Sequence, residues 1–308
     1  MLRDLARGED PQIKAVLDVI SFGDADVIAL QGIDYDLTGE ALNRLAEAAG
    51  YPHAFALRPN TGMATGLDMD GDGRRGGPRD AQGYGRFTGQ GGMAVLSRFP
   101  ILADAVQDLS PLLWEDVPGA LLPDVGGAPF PSAEARAAQR LSTTGHWVVP
   151  IAFPEGRMDL LTFHATPPVF DGPEDRNGRR NHDEIRLWQL LLDGAVGTPP
   201  PGPFVIAGDA NLAPEGGQGL HIAIRTLLAD PRLQDPAPQS HRGNATVDWT
   251  DPVPGDLRVS YVLPSVHWDI TASSVDWPGT ESRRVNTVQT ASRHRLVWVD
   301  LELRAASE

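Results

Sequence analysis

The chain has 308 residues, which is enough to bury a large core as one domain or as two. Hydrophobic residues make up 41% and charged residues 22%, so a fibre or a disordered chain is excluded. Cysteine is absent, which excludes disulfides, thiolate zinc sites and cysteine nucleophiles. No apolar run reaches the roughly 18 residues of a membrane span, and a net charge of −15 disfavours duplex nucleic acid as a partner.

Predicted helices and strands are interspersed along the chain. The periodicity predicts helices over 10–20, 39–49, 132–140, 181–192 and 220–228. Short apolar or alternating runs predict strands at 26–31, 51–57, 93–97, 146–153, 158–163, 204–207, 258–263 and 296–303. Two of these strands are joined by the turn at Pro154–Gly156 and form a hairpin. The pattern indicates an α/β fold of the α+β type, with mixed sheets covered by helices.

We expect one domain over residues 1–308, because no repeat and no linker divides the chain. Residues 58–92 show almost no apolar periodicity, and a loop of that length in a compact domain is usually functional.

This loop contains a calcium-type spacing of carboxylates. Asp68, Asp70 and Asp72 stand at positions 1, 3 and 5, with glycine at position 6 for the sharp turn. Position 12 is Arg79 instead of glutamate, so Asp80 is the candidate fourth ligand. We predict a structural Ca²⁺ site that fixes the loop over the functional site; the alternative is a solvated acidic loop.

Four polar side chains stand at the ends of predicted strands. Asp209 and Asn211 follow the strand at 204–207, His164 ends the strand at 158–163, and His294 precedes the last strand. A carboxylate can orient a nucleophile or bind a metal, and an amide can donate to a phosphoryl oxygen. We predict that the four converge on one site. For Asp209 and Asn211, an Asx-type turn leaving the strand is an equally weighted alternative.

These segments occur in the order found in the endonuclease/exonuclease/phosphatase superfamily of metal-dependent phosphoesterases, which the sequence resembles. The resemblance covers about residues 10–303 and rests on several short motifs: Asp26–Gln31, Gly92–Ile101, His164, Gly208–Asn211, Arg258–Leu263 and Ser292–His294. It implies a four-layered α/β sandwich, in which two packed mixed sheets are flanked by helices. It also implies Mg²⁺ or Mn²⁺ and attack of water on a phosphorus ester. In that chemistry Asp209 orients or deprotonates the water, Asn211 and His164 hold phosphoryl oxygens, and His294 acts as a base or stabilises the transition state.

Several family positions are substituted. Gly32 stands where the resemblance implies a metal-binding glutamate, Ser260 where it implies the aspartate of the Asp-Tyr-Val strand, and Arg293 where it implies the aspartate before the last histidine. Asp34 and Asp36 are candidate replacement ligands for a cation shared with Asp209. Arg293 is a candidate phosphate ligand in place of the metal charge.

A charged segment follows His164 directly. Arg176, Asn177, Arg180 and Asn181 are candidate substrate-binding residues, since arginine pairs with phosphate through two parallel hydrogen bonds. Acidic neighbours cancel the positive charge of the segment, so a helix start held by ion pairs is the alternative.

The sequence therefore predicts a phosphoester hydrolase acting on a small phosphate ester or phosphodiester, with normal or weakened activity. The alternative is a catalytically inactive module that keeps the fold and binds a phosphate ligand through Arg293, His164 and His294. No signal peptide is visible in the chain as given. The resemblance places a first strand upstream of Met1, so a longer natural protein, secreted or periplasmic, is a further alternative. The sequence indicates neither a membrane partner nor an oligomeric state.

Overall fold

The computed structural model describes residues 2–249 and 253–304, and Met1 lies outside these ranges. Its α-helices are α1 (Leu2–Arg7), α2 (Pro11–Gly23), α3 (Glu40–Ala49), α4 (Ala133–Ala138), α5 (Arg176–Leu192), α6 (Ile222–Leu228) and α7 (Val285–Ala291). Its strands are β1 (Val27–Ile33), β2 (His53–Phe55), β3 (Gly92–Ser97), β4 (Gln107–Asp108), β5 (Asp124–Val125), β6 (Ala128–Pro129), β7 (His146–Phe153), β8 (Gly156–His164), β9 (Phe204–Asp209), β10 (Ser260–Pro264), β11 (Trp268–Val275) and β12 (Val297–Leu303). No helix in the described ranges is long and apolar enough to span a bilayer.

The strands form two larger sheets and two smaller ones. The largest has the order β10-β9-β8-β7-β4, and a three-stranded sheet has the order β1-β3-β2. β11 pairs with β12, and β5 with β6, as separate two-stranded sheets. Of the larger sheets' pairings, only β8 with β9 is parallel, so the fold is mixed α/β as predicted.

The central sheet is apolar on both faces. On β7, Val149 packs into a cluster with Val95 of β3, while Val148 faces a cluster containing Trp188 of α5. Successive side chains of a strand point to opposite faces, so such a continuous apolar run indicates a sheet covered on both sides. A third cluster joins α2 and α3 to the other face of the three-stranded sheet, through residues such as Ile20, Ala46 and Leu96.

Most predicted elements are present, with shifted ends. Asp10 caps α2 as expected: its side chain accepts from the backbone N–H of Ile13 at 3.0 Å, and Pro11 is the first helical residue. α5 begins at Arg176, five residues before the predicted start at Asn181. The charged start of α5 lacks apolar periodicity, and tertiary contacts hold it in the helix. The strand β11 and the helices α1 and α7 were not predicted.

Candidate functional site

Asp209 and His164 lie side by side at one edge of the five-stranded sheet. β8 and β9 run parallel, and His164 is opposite Asp209 in their register. The ends of parallel strands meet at the same sheet edge, which is where the polar groups of α/β folds gather. A Cβ atom on Gly208 would lie 2.2 Å from the backbone oxygen of Phe163, so glycine is required there for the close approach of the two strands.

His294 reaches the same carboxylate from the other side. Its Nδ1 lies 3.1 Å from Oδ2 of Asp209, and Nε2 of His164 lies 3.9 Å from that oxygen. Arg295, which is buried, holds the loop in place by donating to Oδ2 of Asp248 at 2.6 Å and to the backbone oxygen of Ser292. One carboxylate oxygen therefore lies at hydrogen-bond distance from His294 and faces the more distant imidazole of His164, which comes from another part of the chain.

Burial lowers the pKa of His164, and this effect outweighs the raising influence of Asp209. The nearby His294 lowers it further. The Nδ1 atom of His164 is buried and has no hydrogen-bond partner among the described residues. We therefore expect His164 to be neutral near pH 7.

Asn211 is placed by a local turn. Oδ1 of Asp209 accepts from the backbone N–H of Asn211 at 2.8 Å, and Asn211 adopts a left-handed conformation with φ of 50°. Its side-chain amide donates to the backbone oxygen of Ala165 at 2.9 Å. The Asx turn and the convergent site are thus both present, because Asp209 uses one oxygen for each.

Of the two carboxylates predicted as replacement metal ligands, Asp34 lies at the cavity of Asp209 and Asp36 lies at the start of α3. Oδ1 of Asp34 accepts from the backbone N–H of Gly91 at 2.9 Å, and Asp34 lines the same cavity as Asp209. Asp36 accepts from the backbone of Thr38, Glu40 and Ala41, which caps the start of α3. These bonds, the one from the Thr38 hydroxyl first, lower its pKa, and no contact joins Asp36 to Asp209. Alternation along a continued strand would put residues 32, 34 and 36 on one face, but β1 bulges at Gly32 and ends at Ile33.

Two of the predicted substrate-binding residues are buried within the protein. Arg180 is 3% exposed and donates to the backbone oxygens of Gln82, Leu141 and other loop residues. Asn181 is fully buried and donates to the backbone oxygens of Thr166 and Ala210. Both side chains tie α5 to the loops around the site, so the structure corrects their predicted role to a positioning one.

The other predicted substrate-binding residues are the half-buried Arg176 and Asn177 at the start of α5, and Arg293 in the loop before β12. Arg176 donates to Oε1 of Gln139 at 2.5 Å, and burial lowers its pKa. Asn177 donates through its side chain to the backbone oxygen of Val169 at 2.7 Å. The side chain of Arg293 is exposed, and its backbone oxygen accepts from the N–H of Asp248 at 3.0 Å. No described contact brings any of the three to Asp209.

Three carboxylates of the predicted calcium loop converge. Oxygen atoms of Asp68, Asp70 and Asp80 all lie within 4.8 Å of one another, whereas Asp72 is exposed and outside the group. Both oxygens of Asp68 accept backbone N–H groups, from Gly71 and Gly73, as in a tight Asx-type turn. Burial raises the pKa of Asp70, and the neighbouring carboxylates add to the shift. Within the described ranges this is the only cluster of three or more such ligands.

Four nearby residues were missed by the sequence reasoning. The Trp249 ring stands edge-on to His294 at a centroid distance of 5.9 Å, and the Asp248–Arg295 pair orients the same loop. Gln31 lines the cavity beside Asp209, and its Nε2 is buried with no partner among the described residues. The stretch around 248 has no periodicity, so no sequence signal pointed to it.

Comparisons with known proteins find the same fold. No curated protein matches the chain. Solved structures resemble it along most of its length: an endonuclease/exonuclease/phosphatase from Beutenbergia cavernae is 20% identical, with a TM-score of 0.61, over 96% of this chain and 67% of the other. A mannosyl-6-phosphatase from Bacteroides thetaiotaomicron is 15% identical (TM-score 0.53, 98% and 95% covered). A 3′ phosphatase from Neisseria, solved with a product DNA hairpin, is 16% identical (TM-score 0.53, 94% of each chain).

Members of this group are phosphoester hydrolases that typically depend on a divalent metal. At these identities the solved structures show the fold alone. The model of the Endonuclease/Exonuclease/phosphatase family matches residues 2–294, so this chain belongs to that family.

Proposed function

We propose that the protein hydrolyses phosphoesters at the cluster of Asp209, His164 and His294. The observation that carries the proposal is the shared carboxylate oxygen: Oδ2 of Asp209 lies 3.1 Å from one imidazole and 3.9 Å from the other. A carboxylate that orients an imidazole is the usual arrangement of a general base. The cluster also opens into a cavity of about 1040 Å³, which gives a substrate access to it.

Each side chain has a role that its surroundings allow. Asp209 holds His294 in orientation, and the pair accepts a proton from the attacking water. His164 is neutral because burial lowers its pKa, so it donates a hydrogen bond to a phosphoryl oxygen without carrying charge. Asn211 uses one amide hydrogen for Ala165, and the second is available to the substrate.

The reaction is a displacement at phosphorus. The oxygen of water forms the new bond to phosphorus while the ester P–O bond breaks. The proton from the water passes to the Asp209–His294 pair. The leaving alkoxide takes a proton from solvent and departs as an alcohol, and the pair then releases its proton to solvent. Hydrogen bonds from His164 and Asn211 stabilise the charge on the phosphoryl oxygens.

The described residues around Asp209 do not by themselves fit Mg²⁺ or Mn²⁺. A hard cation takes about six oxygen ligands. Here one carboxylate stands between two imidazoles, and no group of three metal-ligating side chains includes Asp209 in the described ranges. We therefore derive no step through a metal at this centre. Dependence on Mg²⁺ or Mn²⁺ stays a prediction that the assay below tests.

A small phosphate ester or phosphodiester is the proposed substrate, in preference to duplex DNA. The net charge of −15 repels a polyanion, and Arg176 and Arg180 of α5 already donate to Gln139 and to loop backbone oxygens. The mannosyl-6-phosphatase and the 3′ phosphatase show that this fold serves both sugar phosphates and DNA ends. For this chain, we propose the small ester because the net charge of −15 disfavours DNA.

The proposal treats residues 1–308 as one domain with four layers. Apolar clusters on both faces of the five-stranded sheet, and between the three-stranded sheet and α2 and α3, support this arrangement. Asp68, Asp70 and Asp80, with Ca²⁺ bound, would fix the 58–92 loop.

The test is hydrolysis of bis(p-nitrophenyl) phosphate and p-nitrophenyl phosphate, after chelation and with Mg²⁺ or Mn²⁺ restored. We expect turnover that is lost in Asp209→Asn and retained in Asp269→Asn, an exposed aspartate paired with Arg304 on the β11 side. No turnover under any of these conditions, combined with phosphate binding that Arg293→Ala abolishes, would establish the inactive binding module instead.

A further inference from the structure

The cavity at Asp209 is lined by more carboxylates than cations. Asp34, which directly follows β1, lines it together with Asp209. Arg295 is the only arginine or lysine among the described residues that line the cavity. The charged groups of this lining therefore influence how much negative charge a bound ligand can carry.

The guanidinium of Arg295 is already engaged within the protein. Its side chain is 1% exposed and donates to Oδ2 of Asp248 at 2.6 Å and to the backbone oxygens of Val288 and Ser292. It also lies over the Trp277 ring, 4.7 Å from the ring centroid. A phosphoryl group in the cavity therefore meets no free guanidinium or ammonium group from the described lining.

The two imidazoles of the cluster do not offset both carboxylates. His164 is neutral because burial lowers its pKa. The Nδ1 atom of His294 lies 3.1 Å from Oδ2 of Asp209, so that carboxylate balances any proton that His294 holds. With the Asp34 carboxylate added, the described charges at the site leave at least one net negative charge.

The Asp34 carboxylate is held in place without being neutralised. Its Oδ1 accepts from the backbone N–H of Gly91 at 2.9 Å, and no ion pair joins it to another described residue. The β1 bulge at Gly32, where φ is 77°, comes just before it, and a bulge of this kind changes the direction of the chain that follows. Asp34 is therefore a fixed negative charge at the cavity.

We propose that Asp34 is a specificity-determining residue that favours phosphodiesters, which carry one negative charge, over phosphomonoesters, which carry two above pH of about 6. The inference rests on the proposed function, because it concerns the substrate of the same site. Repulsion grows in proportion to ligand charge, so Asp34 disfavours the monoester more strongly than the diester. The cavity of about 1040 Å³ has room for the second ester group of a diester.

The test compares the binding of methyl phosphate and dimethyl phosphate, which differ by one methyl group and one charge. Phosphorus NMR titrations at about pH 8, where methyl phosphate is a dianion, measure both dissociation constants on chelator-treated protein. Asp34→Asn removes the charge and keeps an oxygen for the N–H of Gly91, whereas Asp34→Glu keeps the charge. The matched control is Asp269→Asn, which removes one charge from an exposed aspartate paired with Arg304.

We expect Asp34→Asn to strengthen the binding of methyl phosphate about tenfold and that of dimethyl phosphate about threefold. Asp34→Glu and Asp269→Asn should leave the ratio of the two dissociation constants within about twofold of the parent value. In the parent chain, added NaCl should strengthen the binding of methyl phosphate, because salt screens repulsion. Equal changes for both ligands in Asp34→Asn would overturn the proposal, and so would parent binding of methyl phosphate that weakens with salt.

Turnover separates this inference from the proposed function. The ratio of kcat/KM for bis(p-nitrophenyl) phosphate to kcat/KM for p-nitrophenyl phosphate should fall about threefold in Asp34→Asn. Loss of diester turnover in Asp34→Asn would overturn the inference, because Asp34 would then take part in the reaction itself. Absence of turnover in the parent chain would overturn the proposed function, and the binding measurements would still decide whether Asp34 selects by charge.

Discussion

The two halves of the proposed catalytic cluster are held by different parts of the fold. His164 and Asp209 end two adjacent strands of a sheet that is paired and covered on both faces. His294 comes from a loop leading into β12, whose inner edge is unpaired and whose apolar residues are half-buried. The central sheet therefore holds the proposed catalytic groups His164 and Asp209 rigidly, while the position of His294 beside β12 depends on the Asp248–Arg295 pair.

The largest expected effect is on the rate of hydrolysis, and it comes from Asp209, at the end of a strand of the central sheet. Asp209→Asn should lower kcat by about 10³-fold or more, because it removes the negative charge that both imidazoles face. His294→Ala should lower kcat by about 10²-fold. Steady-state hydrolysis of bis(p-nitrophenyl) phosphate measures both, with His267→Ala as the control on a histidine outside the cavity. If His294→Ala cost more than Asp209→Asn, the ranking of the two halves would be wrong.

The next effect is on stability and compares the two sheets directly. Leu161→Ala in β8 should lower the free energy of unfolding by about 3 kcal/mol, because its side chain is fully buried. Leu301→Ala in β12 should cost only about 1 kcal/mol, because its side chain is half-buried at the cavity. Urea unfolding of both variants measures the difference.

A smaller effect is the pH dependence of stability, which comes from groups buried at the central sheet. Burial raises the pKa of Glu184 from 4.5 to about 7, although hydrogen bonds from the N–H groups of Thr143 and Thr166 oppose the shift. Between these values the folded protein holds more protons than the unfolded chain, so stability falls as pH rises from 4.5 to 7. Burial lowers the pKa of His146 from 6.5 to about 3, which has the opposite sign: stability falls as pH drops from 6.5 to 3.

Glu184→Gln should remove the loss of stability that Glu184 causes as pH rises, and it should leave the pH dependence that comes from His146. Stability measured by urea unfolding at several pH values should then rise with pH more steeply between pH 4.5 and 6.5 than in the parent chain. The slope is the readout, because the amide also weakens one of the two backbone contacts and lowers stability at every pH. An unchanged slope would show that Glu184 does not titrate in this range.

The smallest effect is the change in melting temperature on Ca²⁺ binding to the 58–92 loop. Ca²⁺ should raise the melting temperature by a few degrees if it binds Asp68, Asp70 and Asp80. Asp70→Asn should abolish the rise, and Asp72→Asn, outside the cluster, should keep it. Calorimetry of the parent chain and of the two variants, with and without Ca²⁺, measures these changes in melting temperature. An equal response in both variants would mean a solvated acidic loop.

Much of the site was predictable because strand ends carry a strong sequence signal. The apolar runs before His164 and Asp209 predicted buried strands, and their polar ends predicted convergence. Arg180 and Asn181 were misassigned because sequence shows the charge of a side chain and not its burial. Asp36 was misassigned because one bulge, at Gly32, ended the alternation that would have turned it toward Asp209.

Local chemistry in the sequence determined the main strands, the cap of α2, the Asx turn at Asp209 and the calcium-type spacing, since each depends on residues close together in the chain. Only the tertiary structure decided that His294 shares an oxygen with His164, that Arg180 serves the core, and that β1 and β12 line one cavity. Those outcomes depend on contacts between segments far apart in the chain, and the sequence pattern of a segment does not show which distant segment it contacts.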